Sequence, residues 1–134
     1  MSDIIDTLGG AIVMVSDQEK TLEFFTQKLG FEEKENQDFG AYKWIEVRPK
    51  NSDVPISLMN PDKIDATREI KEQLKKKIGI DTGIWFYTKD IKEAYKKAKS
   101  KGVEMSEPKK QPWGAIMSEF YDPDQNKYSL LENP

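Results

Sequence analysis

The chain has 134 residues, of which 37% are hydrophobic and 34% charged, with a formal net charge of −3. That length suits one domain with its own core, and the acidic balance argues against general nucleic-acid binding, which needs a basic footprint. There is no cysteine and no histidine, so disulfides, thiolate chemistry, Ser-His or Cys-His catalysis and histidine-based metal sites are all excluded. Any bound metal would need an all-oxygen shell and would be a hard ion such as magnesium, calcium or manganese. The longest apolar run, Ala11 to Val15, is too short for a membrane span or the core of a secretory signal. A cytoplasmic protein with no membrane partner is the simplest expectation.

Ala11-Ile-Val-Met-Val15 is short, apolar and β-branched, as a strand would be. Asp17 suits a helix N-cap. Leu22, Phe25 and Leu29 then share one helical face, and Gly30 suits the C-terminal turn. Phe31 to Glu35, Tyr42 to Val47 and Val54 to Met59 read as three further strands. Ala66, Ile70, Leu74 and Ile78 recur every four residues and predict a connecting helix, with Lys75 to Lys77 at its solvated end, where positive charge is favourable.

The order then repeats. Ile84 to Thr88 is strand-like, Asp90 is a second N-cap, and Ile91, Ala94, Tyr95 and Ala98 make a second apolar helical face. Gly102 ends that helix, Val103 to Met105 restarts extended chain, and Ala115 to Tyr121 and Lys127 to Leu131 complete the unit. Asp122-Pro-Asp-Gln-Asn126 between the last two strands is turn chemistry. The pairs Asp17 and Asp90, Gly30 and Gly102, and Ser57 and Ser129 are separated by 73, 72 and 72 positions. A near-constant offset predicts an α+β chain of two βαβββ modules, at about 8–60 and 81–134, joined by a connector over 61–80.

Val15-Ser-Asp17, Leu22-Glu-Phe-Phe25, Leu29-Gly-Phe31, Trp113-Gly114 and Phe120-Tyr-Asp-Pro-Asp-Gln-Asn126, in that order, resemble the vicinal oxygen chelate superfamily. That superfamily comprises glyoxalase I, bleomycin-resistance proteins and extradiol dioxygenases. The resemblance covers nearly the whole chain except the connector. Gln125 stands where the family turn usually has glycine, and a non-glycine residue with positive φ is tolerable there. The resemblance implies two curled four-stranded sheets around a cleft with helices outside, and it implies a homodimer. In the enzymes of the family a divalent metal sits in the cleft, held from the first and last strands of the modules. Those positions map onto Gly10, Ser57, Gly83 and Ser129. Glycine offers no side-chain donor and a neutral serine is a poor ligand, so the inherited metal centre is expected to be absent, with no other cofactor.

Alternation along the strands predicts what lines the cleft instead. Ile12 and Met14 accompany Gly10, Trp85 and Tyr87 accompany Gly83, Met59 accompanies Ser57, and Leu131 accompanies Ser129. On the third strands Phe120 faces the core, so Met117, Glu119 and Tyr121 face the cleft, and the offset of 73 places Trp44 and Glu46 in the matching positions. Large flat apolar walls with a few polar groups suit a small molecule, and aromatic faces suit planar or cationic groups. Three functions remain open. The chain is a non-catalytic binder that sequesters a planar or cationic ligand. Or it is a glyoxalase-like lyase or isomerase that uses Glu46 and Glu119 with an oxygen-ligated metal. Or it is a partner-binding protein whose cleft is filled by its own side chains. Extradiol oxygen chemistry needs a two-histidine iron site and cannot be built here.

Overall fold

Asp17 and Asp90 set the start of each repeat unit. In the computed structural model, which describes residues 3–133, their carboxylates accept from the backbone N–H of Lys20 and Glu93. They thereby satisfy donors that the first helical turn leaves free. The preceding strand β1 (Ala11–Met14) leads into helix α1 (Gln18–Glu23), which widens into a single π-type turn over Phe24–Lys28. That widening keeps Phe24 and Phe25 both buried, with their rings edge-on at 5.4 Å. Gly30 follows with φ +75°, the left-handed turn that ends the helix.

Strands β2 (Glu32–Asp38), β3 (Lys43–Arg48) and β4 (Ile56–Met59) complete the first unit. The sheet order is β1-β4-β3-β2, with β1 parallel to β4 and the other pairs antiparallel. The second unit repeats this with β5 (Asp81–Tyr87), α3 (Ile91–Ser100), β6 (Lys109–Lys110), β7 (Ile116–Tyr121) and β8 (Lys127–Glu132), in the order β5-β8-β7-β6. The two mixed sheets are the predicted βαβββ pair.

The strand expected at Val103 to Met105 begins later. Val103 and Met105 are instead buried packing residues, Met105 makes one isolated bridge to Phe120, and regular pairing starts only at Lys109. The connecting helix α2 is also shorter than its four-residue rhythm predicts. It spans Arg68–Lys75, is capped by Thr67, buries none of its residues and leaves Ile70 exposed. The turn that follows it ends at Gly79, whose φ is +82°, so Ile78 lies beyond the helix. No helix among the described residues is long and apolar enough to cross a membrane.

The core lies between the sheets and the helices, and it crosses the module boundary. Phe25 meets Tyr128 edge-on at 5.6 Å and Phe31 meets Phe86 at 5.4 Å. Burying aromatic pairs of this kind supplies much of a small core's stabilisation. A polar clasp accompanies them. Asp124 accepts from the Ser16 N–H at 2.9 Å, and the Asn126 side chain donates to the Met14 carbonyl at 3.1 Å and accepts from Gly79 N–H at 2.7 Å. The Phe120–Asn126 turn therefore ties module two to module one. Gln125 takes a φ of +66° within it, as its place in the turn requires.

Candidate functional site

Each sheet buries one face under helices and leaves the other open. Val13, Val15, Ile45, Val47 and Leu58 are buried on the helix side of the first sheet, so the alternate residues project from the open side. The register places Ile12 beside Ser57, Ser57 beside Glu46, and Glu46 beside Glu35. Paired residues share a face, so these four form one row. Met14 stands beside Met59, and Trp44 beside Gln37. On the second sheet Trp85, Ser129 and Glu119 form the matching row, and Tyr87, Leu131 and Met117 the next one. Apart from Gly10 and Gly83, the sequence-predicted residues of each module thus share an open face with one another. Neither of the two main cavities, however, is lined by both open faces.

The two glycines differ from the sequence reading and from each other. A Cβ on Gly10 would lie 2.7 Å from the Pro55 carbonyl oxygen, so glycine is required there by the close approach of the neighbouring strand. Gly83 sits in an irregularity of β5 between the paired positions Asp81 and Trp85, with φ +71° and open space where a Cβ would be. It is therefore outside the regular alternation assumed for it. Trp85, and not Gly83, stands next to Ser129.

The donor chemistry at Gly10, Ser57, Gly83 and Ser129 does not suit a divalent ion. Among the described residues no group of three or more Asp and Glu side chains gathers where it could hold one. Glu46 and Glu119 lie on different sheets and have different surroundings. Lys127 donates to Glu119 at 2.8 Å and pairs with Asp81 at 3.3 Å. The hydrogen bond from Lys127 to Glu119, then that to Asp81, raises the lysine pKa. The Gly83 N–H, then Lys127, lowers that of Asp81. Glu46 has no ion pair among the described residues and stands opposite Glu35, a like-charge arrangement that is unfavourable unless a cation intervenes.

Around Glu46 the structure assembles a shallow cup of about 450 Å³, lined by Glu35, Gln37, Phe39, Tyr42, Trp44 and Glu46. Phe39 and Tyr42 stack at 5.0 Å, and Tyr42 meets Trp44 at 6.5 Å. Sequence reasoning found Trp44 and Glu46 but missed the other four. Alternation along β2 shows Glu35 and Gln37 only once the pairing of β2 with β3 is known, and Phe39 and Tyr42 lie in the connecting turn. Alternation also reaches Arg48 and Lys127, two cations of the open faces that the sequence reading passed over. The Ser57 hydroxyl and the Arg48 Nε are buried with no hydrogen-bond partner among the described residues. Such groups cost stability unless something accepts from them.

The sequence profile of the Glyoxalase/Bleomycin resistance protein/Dioxygenase superfamily matches residues 5–130. The uncharacterized protein YetH of Bacillus subtilis is 32% identical over 131 residues, which is 96% of this chain and 100% of that protein. A crystal structure of a superfamily member from Sphaerobacter thermophilus is 33% identical, with a TM-score of 0.84 over 97% of this chain and 99% of that one. TnmS3, described as an antibiotic binding protein from Streptomyces sp. CB03234, is 26% identical, with a TM-score of 0.78 over 99% of this chain and 100% of that one. The two βαβββ units, the sheet order and these matches together mean that the chain belongs to the glyoxalase/bleomycin resistance protein/dioxygenase superfamily.

Proposed function

We propose that the protein is a non-catalytic binder of planar, cationic small molecules, held on the open sheet faces without a metal. The observation that carries this reading is the cup at Glu46. Two carboxylates with no ion pair among the described residues face each other beside three aromatic rings. A cationic aromatic ligand would relieve the repulsion and stack on Trp44 or Tyr42. The likeness to an antibiotic binding protein supports a small-molecule ligand. Ile12, Trp85 and Tyr87 are 54%, 59% and 63% exposed, on the edge strands β1 and β5. Ile4, Ile5 and Leu8 are also exposed. This much uncovered apolar surface marks an interaction site. In our reading two copies pair along these edges in the cytoplasm, which brings the open face of one sheet toward another. Ile12, Met14, Ser57, Met59, Trp85, Tyr87, Met117, Glu119, Ser129 and Leu131 then wall the space that the cup opens into.

Titration of intrinsic tryptophan fluorescence with planar aromatic cations and their neutral analogues tests the reading. The cations should quench and the neutral analogues should respond more weakly. Trp44→Ala should remove most of the response and Glu46→Gln should weaken binding roughly tenfold, the worth of a charge-assisted contact. Equal responses to charged and neutral compounds, or none across the series, would overturn it.

A further inference from the structure

A second cavity opens beside the edge strand β5, on the other side of the second sheet from its open face. It has a volume of about 710 Å³, within the ordinary range for small-molecule sites. It sits at the junction of the modules on the helix side of the second sheet. Phe86, Phe120 and Leu130 line it from the sheet, Ala94 and Ala98 from α3, and Phe31 from module one, just before β2. The two alanines keep the helix surface low where it passes over the sheet, so the layer is not filled at the β5 edge. Trp85 and Tyr87 touch the cavity only because β5 is an edge strand.

The mouth has one sign of charge. Lys28, Lys50, Lys97 and Lys101 line it, and no Asp or Glu does. None of these four lysines makes an ion pair among the described residues. The Lys101 ammonium donates to the Gln27 carbonyl at 3.5 Å, and the Lys28 ammonium lies beside Gly102. Four unneutralised cations at one opening, in a chain of net charge −3, set a local field opposite to that of the molecule as a whole. Lysine stems lie along apolar walls while their heads stay in water. The opening thus offers an apolar interior with a cationic collar.

We propose that this junction cavity is a second binding site, for an amphiphilic anion: an apolar or aromatic body with one anionic head group. The body packs on Phe31, Phe86, Phe120 and Leu130. The head lies among Lys28, Lys97 and Lys101. The charge preference is opposite to that of the Glu46 cup, so the two sites take different ligands and stand or fall separately.

The test compares two probes with the same kind of aromatic body, anilinonaphthalene sulfonate, which is anionic, and phenylnaphthylamine, which is neutral. Fluorescence and calorimetric titration of the whole protein should show one sulfonate bound per chain, weakening as salt rises, and the neutral probe weaker by roughly tenfold or more. The double variant Lys97→Glu, Lys101→Glu should weaken the sulfonate by roughly tenfold or more and leave the neutral probe unchanged. Ala94→Trp, which fills the cavity, should abolish both, while Glu46→Gln should alter neither. The proposal is overturned if charge reversal leaves the sulfonate unaffected, if the neutral probe binds equally well, or if a folded Ala94→Trp protein binds like the parent. Should Ala94→Trp fail to fold, as judged by its near-ultraviolet circular dichroism, the exposed lysine variants decide the outcome alone.

Discussion

On the first sheet Glu46 stands opposite Glu35 and in no ion pair among the described residues. On the second, Glu119 at the matching position is held by Lys127, which also takes Asp81. Beside Ser57 the first strand supplies Ile12, and beside Ser129 it supplies Trp85. Ser57 is buried and its hydroxyl has no partner among the described residues, whereas Ser129 is only half-buried. The two modules therefore share a backbone and differ in chemistry. One open face is acidic and cupped, and the other is neutralised and walled by exposed aromatics. A repeat constrains strand order and pairing, because these bury the same kind of core twice. It leaves the open faces free to diverge.

The largest test of that asymmetry lies in the turns. Asp122 is buried in module two and accepts from Asp124 N–H, Asn126 N–H, the Asn126 side chain and the Tyr128 hydroxyl. Asp122→Ala would leave those donors unpaired and should cost about 2–4 kcal/mol in urea unfolding. The loop at the matching place in module one carries only the exposed Asp53, and Asp53→Ala should cost less than about 0.5 kcal/mol. Similar losses at the two positions would break the comparison.

The same group has a pH signature. Burial raises the Asp122 pKa, although the hydrogen bonds from Asn126 and Tyr128 oppose it. Burial and the nearby Asp122 charge together push the Tyr128 hydroxyl well above its ordinary value, so that hydroxyl stays protonated. An acid whose folded pKa is raised stabilises the fold most below its unfolded pKa, about 3.9, and that contribution is lost as pH rises through the folded value. The penalty of Asp122→Asn should therefore be greatest at acidic pH and shrink toward neutrality. A penalty that grows with pH would contradict the direction.

The glycines sharpen the contrast at about 1–3 kcal/mol. Gly10→Ala should destabilise through its contact with the Pro55 carbonyl. Gly83→Ala should destabilise through its positive φ alone, by about 1–2 kcal/mol. Asparagine tolerates that conformation, so Gly83→Asn should recover part of the loss in thermal unfolding and Gly10→Asn should recover none. Smaller again, Ser57→Ala should be neutral or stabilising by up to about 1 kcal/mol, because it removes a buried hydroxyl without a partner. Ser129→Ala should change little.

The smallest change in stability is expected for Lys127→Met, which releases Glu119 and Asp81 on an exposed face. Its effect should show in binding. A second carboxylate becomes available, and affinity for planar cations should rise by up to about fivefold, the worth of one exposed ion pair. Unchanged affinity would confine the ligand to the first sheet.

Much of this was legible along the chain. The repeat shows as an offset of 72 or 73 positions and the positive φ of Gln125 goes with the family resemblance, whereas the caps at Asp17 and Asp90 and the strand alternation around Ile45 and Phe120 depend on neighbours within a few residues. These are the distances over which capping and periodicity act. The connecting helix forms where it is predicted but is shorter, because a four-residue rhythm predicts an apolar stripe and not whether anything packs on it, and α2 buries none of its residues. Strand β6 was misplaced because Val103 and Met105 have strand-like composition and serve instead to fill the core.

The sequence by itself determined the two-module α+β fold, the superfamily and the faces on which Trp44, Glu46, Trp85 and Glu119 project. The fold and the faces follow from local periodicity and the repeat, and the superfamily from the resemblance of motifs taken in their order, from Val15-Ser-Asp17 to the Phe120–Asn126 turn. Only the tertiary structure decided why Gly10 is glycine, which glutamate is neutralised, which aromatics join Trp44, and where the junction cavity lies. Those outcomes depend on residues far apart in the chain: Gly10 and Pro55, Glu119 and Lys127 across strands, Phe31 and Phe86 across modules. Strand register and module docking bring such pairs together, and a one-dimensional pattern carries no term for either.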